Sequence, residues 1–320
     1  NTAGTFRIDA GTKIVGAVKG KDYTLVLTDN SAYVIQFVGP PFTFSIRQVG
    51  SNCGAIGQHS IKYVNGAVYW MGESGGFFVY DGTVKSLPCQ VEDFVFTSKG
   101  DNLGVNYQNG ESVYVGLNHL YEELTWFYPK AGSDFNDRCV TYNYQSGTWT
   151  TGSLSRTTWT DANLYDVPYA TEFNSTTTPT FPLIQGVTNL NGGTIYYAHE
   201  VGTDQVDTAG NKTAIAAFIE SGDFSLAVEG EAQMFMSMRR FIPDFKLIQG
   251  DAQVTILLRD FPSDTESSSP LGPFTVTGST QKVDTRARSR FASVKIANTS
   301  TDQNWRYGTF RVDVQPDGMR

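Results

Sequence analysis

The sequence predicts an all-β fold of small antiparallel sheets, and three observations carry that expectation. Short strands with alternating aromatic residues recur along the chain, turn residues punctuate them, and no long helical period competes with them. Ala67-Val-Tyr-Trp-Met-Gly72 passes through Gly75-Gly76 into Phe77-Phe-Val-Tyr80 and turns at Asp81-Gly82. Arg138-Cys-Val-Thr-Tyr-Asn-Tyr144 turns at Gln145-Ser-Gly147 and returns with Thr148-Trp149, and Gly192-Gly193 opens Thr194-Ile-Tyr-Tyr-Ala198. Each reads as a hairpin with an aromatic face that must be covered by a neighbour. Many such units in one chain predict a β-propeller-like body of about five or six blades.

The first strands are expected over 13–18, 23–27 and 33–38, separated by Gly20 and by Asp29-Asn30-Ser31. Pro40-Pro41 stops the third, because proline donates nothing to a ladder, and 42–49 follows. After the hairpin at 67–80, residues 90–96 fit either a strand or a short helical turn. Strands resume over 112–117, 124–128 and 139–144. Asn174-Ser-Thr-Thr-Thr-Pro-Thr180 reads as a surface loop. Further strands are expected over 195–199, 214–220 and 234–241, then 254–258, 274–277, 293–296 and 310–314. Within 229–240, Met234, Met236 and Met238 alternate at period two, which favours a strand over a helix. Residues 261–272 form the most loop-like stretch and are expected to be a mobile surface loop. Similar hairpins recur at uneven spacing, so the blades carry insertions. The whole of 1–320 reads as one propeller-like domain. Its abrupt start at Asn1, without Met, predicts a piece of a longer chain with further N-terminal sequence.

Composition narrows the function classes. Aromatics make up 13% of the chain, which suits half-buried pleated faces, and 32 glycines against 12 prolines suit a turn-rich β protein. Charged residues are 18%, below the roughly 25% of an ordinary domain, and such a surface suits protein contacts. The net charge of −8 argues against gripping nucleic acid by phosphate neutralisation, yet like charge lets DNA pass without sticking. No run of apolar residues is long enough to span a membrane, and no signal peptide is visible. Cys53, Cys89 and Cys139 are odd in number and far apart, so neither a disulfide framework nor a zinc site is expected.

No cofactor, metal or catalytic residue is predicted. His59, His119 and His199 stand in no ligand spacing, and neither a GxSxG elbow nor a GxxxxGK loop occurs. Carboxylates matter because a glycosidase needs two acids across a sugar bond. Glu122, Glu123, Asp134, Asp137, Glu200 and Asp204 lie near loops, and sequence spacing brings no two of them together. Tyr144-Gln-Ser-Gly-Thr-Trp149 resembles the end of a kelch blade, where a Tyr precedes a turn and a Trp packs inside. It also resembles the sialidase Asp-box, except that Gln145 replaces the Asp. The candidate interaction residues are Arg286, Arg288 and Arg290, which alternate in Asp284-Thr-Arg-Ala-Arg-Ser-Arg-Phe291, with Arg239 and Arg240 able to join them. On a strand the alternating arginines share a face. They can contact phosphate, pair with acids within the chain or on a neighbouring subunit, or stay solvated, and pairing ranks first in an acidic protein.

Several segments, in order, resemble one family. They include Phe37-Val-Gly-Pro-Pro-Phe42, Cys53-Gly-Ala-Ile56, Val68-Tyr-Trp-Met71, Phe77-Phe-Val-Tyr-Asp-Gly82 and Leu87-Pro-Cys-Gln-Val91 with Asp93. Glu123-Leu-Thr-Trp-Phe-Tyr-Pro129, Asn136-Asp-Arg138, Arg156-Thr-Thr-Trp159, Ile219-Glu-Ser-Gly222 and Arg239-Arg-Phe-Ile-Pro-Asp244 follow. Thr285-Arg-Ala-Arg288 and Trp305-Arg-Tyr-Gly308 through Pro316-Asp-Gly318 complete the series. Together they resemble the nozzle, or packaged-DNA stabilisation, proteins of short-tailed bacteriophage tails. The resemblance implies a non-enzymatic virion subunit, made in the bacterial host cytoplasm. Its copies would form a six-fold ring around the DNA exit path, against the portal-side adaptor and other tail proteins. Packaged DNA would be retained and then pass through non-specifically. Two alternatives stand beside it: a carbohydrate-binding or glycan-active propeller on the virion, and a kelch-like protein-interaction scaffold.

Overall fold

Short antiparallel strands make up nearly every element of this chain. A computed structural model describes residues 5–98, 103–161, 165–174, 193–207, 209–226, 234–261, 264 and 270–318. The protein is all-β, with many small antiparallel sheets. Where one domain through residue 320 was expected, the chain groups into two compact units, 1–201 and 202–320.

In the first unit, successive strands pair with their chain neighbours. Strands β1 (Ile14–Lys19), β2 (Thr24–Thr28), β3 (Ser31–Gly39) and β4 (Thr43–Ser51) form one four-stranded meander. A second comprises β5 (Ile61–Val64), β6 (Ala67–Met71), β7 (Phe77–Tyr80) and β8 (Val84–Leu87), and its first hairpin turns on Asn65 and Gly66, both at positive φ. Residues 90–96 resolve into one helical turn, α1 (Glu92–Phe96). A third meander follows in β9 (Tyr114–Asn118), β10 (Glu123–Tyr128), β11 (Arg138–Asn143) and β12 (Thr148–Gly152). The three-stranded sheet of β13 (Thr158–Thr160), β14 (Tyr169–Asn174) and β15 (Gly193–Ala198) closes the unit. The loop expected after Asn174 lies outside the described residues.

Apolar clusters lie between consecutive sheets. Leu25, Leu27 and Val34 of the first pack with Val68, Trp70 and Tyr80 of the second. Met71 and Phe77 of the second pack with Leu124, Trp126, Val140 and Trp149 of the third. Phe77 and Trp149 have ring centroids 4.6 Å apart, so the tryptophan after the Gln145-Ser-Gly147 turn packs inside as the kelch-like reading expects.

The four tryptophans of this unit also share a hydrogen-bonding habit. Trp70 Nε1 donates to the Cys53 carbonyl at 2.8 Å, and Trp126 Nε1 to that of Ser60 at 2.9 Å. Trp149 Nε1 donates to Pro88 O at 2.9 Å and Trp159 Nε1 to Leu117 O at 2.8 Å. Each indole thus finds its acceptor on an earlier sheet or on the segment leading from it. Backbone approach is closest at Gly54, where a Cβ would lie 2.1 Å from the Asp29 carbonyl carbon and oxygen. That contact accounts for the glycine in Cys53-Gly-Ala-Ile56.

The second unit has the same local pattern and a different connectivity. Strands β16 (Asp204–Val206) and β17 (Lys212–Ala214) pair as a ribbon. The remaining strands are β18 (Phe218–Glu220), β19 (Met236–Ile242), β20 (Phe245–Gln249), β21 (Ala252–Arg259), β22 (Leu271–Val276), β23 (Val283–Ser289), β24 (Phe291–Ala297), β25 (Asn304–Tyr307) and β26 (Arg311–Pro316). They assemble out of chain order, as β18-β24-β21-β22, β23-β19-β26 and β20-β25. Met236, Met238 and Phe241 of β19 share one core with Val254 and Ile256 of β21 and Val294 and Ile296 of β24. Two sheets therefore cover a single core here. Of the loop expected at 261–272, most lies outside the described residues, and Leu271 and Gly272 already belong to β22.

Candidate interaction surface

The arginines singled out by the sequence gather on the outer face of the β23-β19-β26 sheet. Along β23, Thr285, Ala287 and Ser289 turn inward and Asp284, Arg286 and Arg288 turn outward. A strictly alternating β19 would aim Phe241 away from the core, three residues after Met238. A bulge between Met238 and Arg240 resets the phase. Met238 and Phe241 both stay buried, and Arg239 and Arg240 both leave the core.

Most of these cations are engaged within the chain. Arg288 Nε donates to Asp317 Oδ2 at 2.7 Å, and its guanidinium lies 3.9 Å from the Phe235 ring centroid. Arg240 Nε lies 3.8 Å from Asp284 Oδ1 and 3.6 Å from Asp313 Oδ2. Lys282 bonds Asp284 at 3.0 Å and, with Arg240, holds that carboxyl below its usual range. Arg290 lies past the end of β23, so it does not continue the stripe. It reaches the same Phe235 ring at 4.8 Å and Phe261 at 5.4 Å. Among the described residues, Arg239 and Arg286 have no ion-pair partner. Both line a shallow depression of about 530 Å³ with Ser237, Thr285, Arg288 and Asp317. Two uncommitted guanidinium forks beside a third suit a carboxylate or phosphate.

The acids do not converge in the same way. Asp134 accepts from Asn109 Nδ2 at 3.2 Å, and Asp137 from Lys130 N at 2.9 Å and Lys130 Nζ at 3.1 Å. Asp204 caps the Asp302 amide at 3.0 and 2.9 Å, and Glu122 occupies a turn at φ 59°. Glu200 lies within electrostatic reach of Glu123. Burial raises both carboxyls, the negative charge of Glu200 raises Glu123 further, and Asn118 Nδ2 donates to Glu200 Oε1 at 2.9 Å, which opposes the rise on Glu200.

The histidines serve packing and hydrogen bonding. His59 stacks on Tyr114 at 5.6 Å and His119 bonds Asp161. His199 Nε2 accepts from Arg156 Nε at 2.9 Å, and burial and the guanidinium push its pKa down to about 4. Arg156 is buried, 3.9 Å from the Tyr197 ring centroid, with Glu172 Oε2 3.4 Å away. Sequence reasoning missed this network. Its only trace was Arg156-Thr-Thr-Trp159, which carries the arginine and the tryptophan that packs against His199 at 4.5 Å. Burial pushes the free thiols of Cys53, Cys89 and Cys139 up to about 11. Among the described residues no three His, Cys, Asp or Glu side chains group as metal ligands, and no helix is long and apolar enough to cross a membrane.

No family model matches the chain, and no curated protein matches it. Among solved structures it is similar to an exo-β-1,3-galactanase from Phanerochaete chrysosporium bound to β-1,3-galactotriose. That alignment has 8% identity and a TM-score of 0.30, covering 91% of this chain and 78% of that one. The same galactanase with galactose gives 9% identity and a TM-score of 0.21, with 94% of each chain covered. The N-terminal domain of Nup159 gives 10% identity and a TM-score of 0.27 over 88% of this chain and 75% of that one. Similarity at this level carries no argument about chemistry.

Proposed function

We propose that this protein is a non-enzymatic structural subunit of a bacteriophage tail. In this reading it is a nozzle-type component of the virion, made in the host cytoplasm, whose copies form a ring around the DNA exit path. The ring abuts the portal-side adaptor and other tail proteins, retains packaged genome and then lets it through. The observation that carries the reading is the ordered run of short motifs from Phe37 to Gly318 that resembles this family. The consecutive antiparallel sheets of the first unit support it, since sheets that pair in chain order and pack on their predecessors are what propeller blades are made of. The described residues supply four such sheets toward the expected five or six.

The chemistry agrees with a structural role. Thiols are held protonated, His199 is held neutral, and most acids cap backbone or pair locally. A closed ring needs two different patches on each subunit. The open forks of Arg239 and Arg286 form one, and a chain of net charge −8 offers carboxylates for the other. Passing DNA meets like charge overall. Electron microscopy of the purified chain and of particles labelled with an antibody to it tests the reading. Ring-shaped oligomers and label on the tail axis are expected, with Arg239→Glu/Arg286→Glu folded but monomeric. A wild-type monomer together with label away from the tail overturns it.

Two carboxyls raised by burial, with the charge of Glu200 reaching Glu123, favour a second reading, glycan hydrolysis. Release of reducing sugar from a β-linked oligosaccharide panel, abolished by Glu200→Gln, is what that reading expects.

A further inference from the structure

We propose that the tip of the β3–β4 hairpin inserts into a lipid surface of zwitterionic headgroups. This inference is independent of the ring assignment. Strand β2 pairs with β3 only as far as Ile35, opposite Thr24. Beyond that point β3 and β4 continue together, with Gln36 opposite Ser45, Phe37 opposite Phe44 and Gly39 opposite Thr43. The result is a two-stranded arm standing past the edge of its own sheet. The five residues beyond Ile35, 36–40, reach about 16 Å at the usual strand rise.

The arm ends in apolar side chains. Phe42 is 79% exposed, Phe37 66% and Val38 53%, and Phe44 packs edge-on against Phe37 at 5.8 Å. No residue from Asn30 through Ile46 is charged. The backbone is suited to leaving water as well. The strands pair along the arm apart from an irregularity between Phe37 and Gly39, Phe44 N donates to Phe42 O at 2.6 Å, and Pro40 and Pro41 have no N–H to desolvate. Rings on a turn with so few free backbone N–H groups can enter the boundary between headgroups and acyl chains, a depth of about 5–10 Å that the arm exceeds.

A protein groove fits less well. A stable partner interface takes about 800 Å² from each side, more than a narrow convex tip with four large apolar side chains presents. The depression on the second unit is lined by arginines, so it offers no apolar seat to a second copy. The net charge of −8 makes anionic lipid unfavourable, which leaves apolar burial as the driving force and zwitterionic lipid as the occupant.

Co-sedimentation of the full chain with phosphatidylcholine vesicles tests this. Binding is expected, insensitive to added salt, and Phe42→Asp is expected to weaken it about tenfold or more. The variant Phe42→Trp keeps an aromatic ring and is expected to be quenched by brominated lipid, which decides the matter should Phe42→Asp fail to fold. The proposal is overturned if wild-type chain stays in the supernatant, if Phe42→Asp binds as well as wild type, or if Phe42→Trp is not quenched. It is equally overturned if Phe42→Asp changes only the oligomeric state in the absence of vesicles, since the tip would then seat in another copy.

Discussion

The two units solve the same problem by different wiring. In 1–201, each sheet is a run of chain neighbours, and cohesion between sheets comes from apolar clusters plus indole bonds to earlier segments. In 202–320, strands far apart in the chain alternate within sheets, and one core is shared by β19, β21, β22, β23 and β24. Its single tryptophan, Trp305 of β25, bonds the Asn298 side chain on the segment that leaves β24. A unit assembled from sequential modules is expected to tolerate local opening, whereas interleaved strands are expected to melt together.

Trp126→Ala is the most severe way to break the comparison. It removes a fully buried ring and the bond to Ser60, and is expected to cost about 3–5 kcal/mol, melting the first unit while the second keeps its transition in urea. Loss of both transitions at one denaturant concentration would show that the units are not independent. A pH titration is the next largest effect. His199 has a folded pKa of about 4 against an ordinary 6.5, so the unfolded chain takes up the proton first. Stability is complete above about pH 6.5 and falls as pH drops toward 4. That acid limb is expected in the first unit alone and is expected to vanish in His199→Gln, as urea midpoints across pH would show.

Gly54→Ala is expected to cost more than about 1 kcal/mol, because the new methyl collides with backbone that cannot swing aside. Thermal melts report it, and an unchanged midpoint would mean that the first and second sheets separate easily. At the small end, Arg286→Ala is expected to shift the melting of the second unit by less than about 0.5 kcal/mol, since its fork has no described partner to lose.

Strands were legible because alternation is written locally. The Met236 and Met238 pair marked β19, and the aromatic runs marked β6, β7, β10 and β11. The divide at residue 201 was not, because the strands after it alternate in the same way and differ only in which strand they pair with. The Arg286 and Arg288 face could be read from spacing, whereas the bulge that frees Arg239 and Arg240 together is a property of pairing. Glu123 and Glu200 are distant in sequence, and only the folded chain lets one feel the other. Arg156 reads as a surface cation until its acceptors, His199 and Glu172, are placed around it.

The backward reach of the four indoles also sets a schedule. Each tryptophan needs a carbonyl that leaves the ribosome before it does, so every new sheet meets a finished berth as it emerges. Nascent chains of the first unit can therefore be built up from the N-terminal end without waiting for residues still to be translated. Circular permutants that reverse this order should depend more heavily on chaperones.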